Sequence, residues 1–244
     1  DFGFNFTKID NYVDKLAPGV NSIYLGGFTD PQVRASIGYK FPTLYGVGYL
    51  RNDKGQIVVD SNGMPQTGAE RVFGSAEPDF RLGFNTDFTF HKLRVSAVFD
   101  WKQGGWMYCG TDAILDLYGV SKKSKEYREK DKFLFEKPPV KENADGTYSP
   151  NDIYISGTNA QSYFSTVGDI SEYAMHKNSF VKLRELALSY PVYDHVGLHI
   201  TLSAFARNLL LYFQFIGNDN MAGAFERFSL PGTSSYGFGL SIKF

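Results

Sequence analysis

The residues that could carry bond chemistry are scattered along the chain. His91, His176, His195 and His199 follow no metal-ligand spacing, and no Ser or Cys nucleophile motif stands beside them. Asn218-Asp219-Asn220 lacks the spacing of a calcium loop. Cys109 is the one cysteine, so an internal disulfide is impossible, and a lone thiol is more often an incidental small residue than a reactive one. The expectation is therefore no catalysis, no metal and no cofactor. What remains is recognition, and two sets of side chains suit it. Trp106, Tyr108, Tyr118, Tyr154 and Tyr163, with Tyr127, Tyr148, Phe164 and Tyr173, crowd the segment Gln103 to Asn178. Flat rings with a polar handle suit sugar stacking, substrate contact or a protein interface, and otherwise pack the segment on itself. The second set, Arg81, Asn85, Asp87, Arg94, Lys182, Arg184 and Arg207, falls on the polar side of alternating stretches. Most of these should pair with one another, and a minority should meet a ligand.

The stretches that position them read as β-strands. In Tyr236 to Phe244 every even position is large and apolar and every odd one small or polar, a strict period of two. Leu198 to Phe205 repeats the pattern, with Phe205 as its exception. Phe80 to Phe90 and Leu93 to Lys102 form a hairpin through His91-Lys92. Phe2, Phe4 and Phe6 mark another strand, and Val33 to Tyr49 a further one interrupted by Pro42. Ser179 to Pro191 changes phase, since Val181 and Leu183 are odd but Leu186, Leu188 and Tyr190 are even; a bulge near Arg184-Glu185 keeps both sets on one face. Seven strands result. Their connections are unequal: His91-Lys92 and Val192 to Gly197 are short, while Arg51 to Pro78, Gln103 to Asn178 and Gly217 to Thr233 are long, and Asp10 to Gln32 is intermediate. Thr111 to Tyr118 reads as a short helix capped by Thr111, with an apolar edge of Ile114, Leu117 and Tyr118.

Composition says where such strands sit. The 244 residues carry 25 Lys+Arg and 26 Asp+Glu, a net charge of −1, which gives no basic footprint for nucleic acid. Aromatics reach 16%, with 22 Phe and 16 Tyr, although the mean hydropathy is only −0.26. A transmembrane barrel accounts for that pairing, spending its rings on a lipid face and interfacial girdles while its lumen stays polar. Apolar runs are too short for a spanning helix. Short turns at one end and long loops at the other match the periplasmic and extracellular sides of an outer-membrane barrel. The expected fold is thus all-β, antiparallel transmembrane β-barrel strands with long extracellular loops. An open sheet of seven strands would leave two unpaired edges in hydrocarbon, so either an eighth strand closes an autonomous small barrel with a structural or adhesive role, or a larger barrel supplies the rest.

Ordered motifs favour the second case. Leu44-Tyr45-Gly46-Val47-Gly48-Tyr49-Leu50-Arg51, Gly55 to Pro65 and Gly74-Ser75-Ala76-Glu77-Pro78-Asp79-Phe80 come first. Gly104-Gly105 with Tyr108, Ser179 to Pro191, Ala206-Arg207-Asn208-Leu209, Gly217-Asn218-Asp219 and the closing Tyr236 to Phe244 follow in order. Together they resemble the C-terminal third of SusC-like TonB-dependent transporters, the SusC/RagA family, over essentially the whole chain. The resemblance implies that residues 1–244 are the C-terminal segment of a barrel of about 22 strands. The plug domain, the TonB box and the rest of the barrel are absent from this chain. It implies import of glycan or peptide oligomers across the outer membrane of a Gram-negative cell. The implied partners are a SusD-like surface lipoprotein as lid, the TonB complex through the missing N-terminal region, outer-membrane lipid, and the remaining barrel and plug. Tyr236, Phe238, Leu240, Ile242 and Phe244 have the form of a barrel-assembly signal.

Overall fold

The computed structural model describes residues 1–213, 224–228 and 232–244; Asn218-Asp219-Asn220 and the Gly217 motif lie outside them. The chain is predominantly antiparallel β-sheet, and among the described residues no helix is long and apolar enough to cross a membrane. Ten strands build two sheets. They are β1 (Phe2–Thr7), β2 (Ser22–Gly27), β3 (Gln32–Ser36), β4 (Thr43–Tyr49), β5 (Thr67–Ser75), β6 (Phe80–Phe90), β7 (Leu93–Gln103), β8 (Phe180–His195), β9 (Leu198–Phe213) and β10 (Ser235–Lys243). The larger sheet has the order β1-β6-β7-β8-β9-β10, and the smaller one the order β2-β3-β4-β5.

Register turns the period of two into faces. Phe4, Phe84, Phe99 and Leu183 follow one another across the larger sheet, as do Phe88, Val95, Leu188, Ala204 and Phe238. These rows lie on one face, which also carries Leu202 opposite Tyr190 and Leu240. Among the described residues no second layer covers it: Phe4, Phe238 and Leu240 are 67%, 90% and 61% exposed. A water-soluble sheet would bury such a face; strands whose solvent on that side is lipid would not. The phase change in β8 is resolved as the sequence requires, by a register shift between Leu183 and Glu185 opposite β7 that leaves Arg184 as the extra residue. Phe205, the exception in β9, lies on the opposite face over Gly237, where a Cβ would come within 2.4 Å of its ring.

Several expectations need correction. Val33 to Tyr49 is not one interrupted strand but two antiparallel ones, β3 and β4, turned back on each other before Pro42. The intermediate and long loops around them hold β2 and β5, so the count of seven falls short. β8 and β9 run on to His195 and Phe213, so their turn is Val196-Gly197. The segment Gln103 to Asn178 is no open loop. It holds three helices, α1 (Gly110–Leu117), α2 (Lys122–Arg128) and α3 (Ala160–Gly168), and short strands. Val58–Val59 pairs in parallel with Val140–Glu142, and Trp106–Cys109 pairs with both Met175–Lys177 and Phe225–Glu226. Thr111 does not cap α1, whose N-cap is Cys109 without a side-chain bond. Gly110, Ala113 and Asp116 are its buried positions, and Tyr118 stands 73% exposed.

This insert has its own core. Tyr49, Ile57 and Val59 pack with Tyr127, Phe133, Phe135, Ile155, Tyr163, Phe164, Val167 and Ile170. Rings meet edge-on or stacked, as in Tyr127 with Tyr163 at 5.6 Å and Phe135 with Tyr49 at 5.4 Å. Each fully buried ring contributes about 2–3 kcal/mol by removal from water, which is what a long connection needs in order to hold one shape. Glu172 fastens the insert to the smaller sheet. Arg51 donates to both of its carboxylate oxygens at 2.8 and 2.6 Å, and the Tyr49 N–H donates at 3.1 Å.

Candidate functional site

The polar face of the larger sheet brings one predicted set together. β6 contributes Arg81, Asn85 and Asp87, β7 contributes Arg94, Asp100 and Lys102, β8 contributes Lys182, Arg184 and Glu185, and β9 contributes Arg207; register puts them all opposite the apolar rows. Ser203 of β9 and Ser241 of β10 share this face. The charges are mostly paired. Arg94 Nη2 lies 2.9 Å from Asp87 Oδ1, to which Ser96 Oγ also donates at 2.6 Å. Arg184 Nη2 sits 2.6 Å from Asp100 Oδ2, and Arg207 Nε 3.5 Å from Glu185. Asn85 covers Gly3 of β1, where a Cβ would meet its Oδ1 at 2.1 Å. Lys102 and Lys182 are buried, and Arg81 shares with Lys102 and Glu77 a small cleft of about 290 Å³. A face of this kind can line an aqueous passage, with ion pairs fixing the side chains so that they present donors and acceptors in constant places.

The aromatic set is dispersed instead. Trp106 packs among Leu44, Met175 and Ala224, over Gly74, whose φ of +150° and missing Cβ leave room for the indole; a Cβ there would lie 2.3 Å from Trp106 Cδ1. Tyr163 is fully buried in the insert core, so it offers no surface to a substrate or lid and is corrected here to a core residue. Tyr118 and Tyr154 are exposed, 73% and 53%, the latter under Lys132 Nζ at 4.4 Å.

Tyr108 alone of the five opens onto a large cleft, of about 920 Å³, with Tyr24, Phe28, Asp30, Gln32 and Arg227 around it. Asp30 is held by the Val47 N–H at 3.0 Å and by the Ser171 hydroxyl. Arg227 lies 4.9 Å over the Phe28 ring. It follows Glu226, which is 4% exposed at the start of α1. That carboxylate accepts from the Thr111 hydroxyl at 2.6 Å, the Thr111 N–H at 3.2 Å and the Cys109 thiol at 3.2 Å. Negative charge at a helix N-terminus is favourable there. Burial pushes the Cys109 thiol far above its ordinary value, so it stays protonated and unreactive. Tyr24, Phe28, Asp30 and Gln32 had no visible signal in the sequence, because their neighbourhood reads as connection. Arg227 lay inside a long one.

The histidines are spread over the fold. His91 is in the β6–β7 turn, His195 and His199 flank the β8–β9 turn, where His199 Nδ1 meets Asp194 at 2.5 Å, and His176 is in the insert. Among the described residues no group of three metal-ligating side chains forms.

With this geometry the chain is similar in fold to solved structures of a peptide transporter. A structure of the RagAB peptide transporter matches with a TM-score of 0.59 and 18% identity, over 99% of this chain and 26% of that one. The RagAB peptide importer in a closed-closed state matches with a TM-score of 0.52 and 19% identity over the same shares. The chain therefore spans about a quarter of the length of the transporter chains it matches. At such identity the likeness concerns the fold. No family model and no curated protein matches.

Proposed function

We propose that this chain is part of the barrel wall of a SusC-like TonB-dependent outer-membrane importer that takes up oligomeric nutrients with a SusD-like surface lipoprotein. One observation carries the reading: the larger sheet has an uncovered apolar face and, in strict register behind it, a face of ion pairs. That division suits lipid outside and a wet lumen inside. Among the described residues β1 and β10 are the sheet's edges and do not pair with each other, which favours completion by further strands over an autonomous small barrel. The fold likeness to the RagAB chains points the same way, and their description as peptide transporters favours peptide over glycan as the cargo. The work of the site is recognition and passage, not catalysis. The segments beyond β6–β10 at the insert end then face outward, where Tyr118, Tyr154 and the Tyr108 cleft are available to a lid or to incoming cargo.

The test is made on the complete transporter expressed in its outer membrane. Heat-modifiable migration, co-purification of a surface lipoprotein and energy-dependent uptake of oligopeptides or oligosaccharides are the expected results. A protein that stays in the soluble fraction, or a barrel that takes up neither class, sinks the proposal.

A further inference from the structure

The insert encloses a cavity that the transport reading does not use. It measures about 200 Å³ and is walled by Tyr49, Tyr163, Tyr173, Lys123, Glu136 and Lys137. Phe135 and Met175 supply apolar surface between them. Tyr49 and Tyr163 are 3% and 0% exposed, and the hydroxyl of each is buried without a hydrogen-bond partner among the described residues. A buried hydroxyl left unpaired costs about 1–3 kcal/mol, and Phe would fill the same ring space without that cost. Two such groups on one cavity mark a place where something accepts from them.

The surrounding charge says what. Glu136 is matched by Lys123 at 3.0 Å and accepts from the Tyr127 hydroxyl. Glu172 is shared by Arg51 at 2.6 Å, Arg71 at 3.7 Å and Lys137 at 4.0 Å. On the cavity wall Lys123 and Lys137 stand against one carboxylate, Glu136, so the wall itself is positive, while Asp116, which accepts from the Tyr173 hydroxyl, is not part of it. Lys137 is the most weakly matched and lies 4.6 Å over the Tyr49 ring. The neighbouring His176 reports the same sign: burial first, then Lys137 and Lys123, hold its imidazole down at about 4. A cavity of this size exceeds a single water, whose share of liquid volume is about 30 Å³.

We propose that this cavity binds a short-chain carboxylate. Its oxygens accept from the Tyr49 and Tyr163 hydroxyls, Lys137 supplies the countercharge, and its carbon tail lies against Phe135 and Met175. The apolar wall distinguishes this occupant from an inorganic anion. A neighbouring cleft of about 500 Å³ shares Lys123, Tyr173 and His176 with the cavity. The site does not depend on the chain being an importer, since its walls all belong to the insert and the strand β4.

The test uses the complete protein in detergent, with trifluoroacetate as the probe followed by fluorine NMR and butyrate and chloride as competitors. Saturable broadening, displaced by butyrate at least tenfold more effectively than by chloride, is expected. The double variant Tyr49→Phe/Tyr163→Phe, which keeps both rings, should weaken it at least tenfold, and so should Lys137→Gln at the cavity rim. Lys137→Gln stands in should the double variant fail to fold. Absence of saturable binding, equal displacement by chloride, or wild-type affinity in folded variants overturns the proposal.

Discussion

Arg184, the extra residue of the bulge between Leu183 and Glu185, turns its guanidinium onto Asp100 of the neighbouring strand, with Nη2 2.6 Å from Oδ2. The residue that breaks the register is thus held by the strand whose register it breaks. Two separate effects follow for mutants. Arg184→Ala keeps the bulge and loses a half-exposed ion pair, a cost of about 1 kcal/mol or less. Deleting Arg184 instead moves Leu186, Leu188 and Tyr190 to the polar face. Heat-modifiable migration of the complete protein should be near normal in the substitution and lost in the deletion. Equal assembly of both would show that the phase of β8 does not matter.

The two faces predict opposite responses to one charge. Phe238 stands in the apolar row with Leu188 and Ala204, whereas Ser241 is opposite Thr201 on the polar face. Phe238→Arg should cost about 2–4 kcal/mol if it meets the middle of a bilayer, and Ser241→Arg much less. Urea unfolding of the complete protein in vesicles measures the difference. Similar midpoints for the two variants would remove the lipid from the apolar face.

Phe244 is 97% exposed and follows the last paired residue, so it packs against little among the described residues. Its removal should leave the stability of assembled protein unchanged while lowering the amount assembled, the behaviour of a signal read during insertion. Pulse-labelled membrane fractions of the complete protein separate the two. An unchanged yield would make the residue an ordinary strand end.

The strands legible in the sequence are those whose partner has the same period. Phe80 to Gln103 and Ser235 to Lys243 alternate over nine residues or more, and one face of each is apolar except at Thr86 and Gln103. The bulge was legible for the same reason, since a change of phase is visible only against a long regular run. The insert was not. Its strands are two to four residues long, too short for a period, and several are fixed by remote partners, as Val58 is by Val140. Pro42 made β3 and β4 look like one broken strand, when their pairing to each other is what the break permits. Of the aromatic candidates, ring chemistry was readable but burial was not: Tyr163 and Tyr118 look alike in the sequence, and only the packing of α3 on α2 separates core from surface.

That separation gives different expectations for Trp106 and Tyr108. Trp106 fills the space over Gly74, so Trp106→Ala should destabilise the insert by about 2–3 kcal/mol through the lost ring burial. Tyr108 borders the cleft with Asp30 and Arg227, and Tyr108→Phe should leave stability near wild type while weakening uptake or lid association. Thermal unfolding together with an uptake assay and a pull-down distinguishes them. Uptake untouched by Tyr108→Phe and by Arg227→Ala would leave the cleft without a role in transport.

Acid should open the insert before it affects the sheet, because two groups lose their stabilising state in the same direction. His176 is held at about 4, against an ordinary 6.5, by burial and by Lys137 and Lys123. The folded state therefore binds fewer protons than the unfolded one, and this contribution is full above pH 6.5 and lost as the pH falls towards 4. At Glu172 burial would raise the carboxyl, but Arg51, the Tyr49 N–H and Lys137 outweigh it and hold the group below its ordinary 4.5. Its contribution is full above pH 4.5 and is lost as the pH falls through the depressed value. Amide hydrogen exchange in residues 104–178 of the complete protein should accelerate first between pH 6.5 and 4, then further below, while β6–β8 stay protected. His176→Gln should flatten the upper part of that profile. Glu172→Gln should weaken the insert by about 2 kcal/mol already at neutral pH, since Arg51 loses a charged acceptor. Exchange that rises equally in sheet and insert would show that neither group governs the acid response.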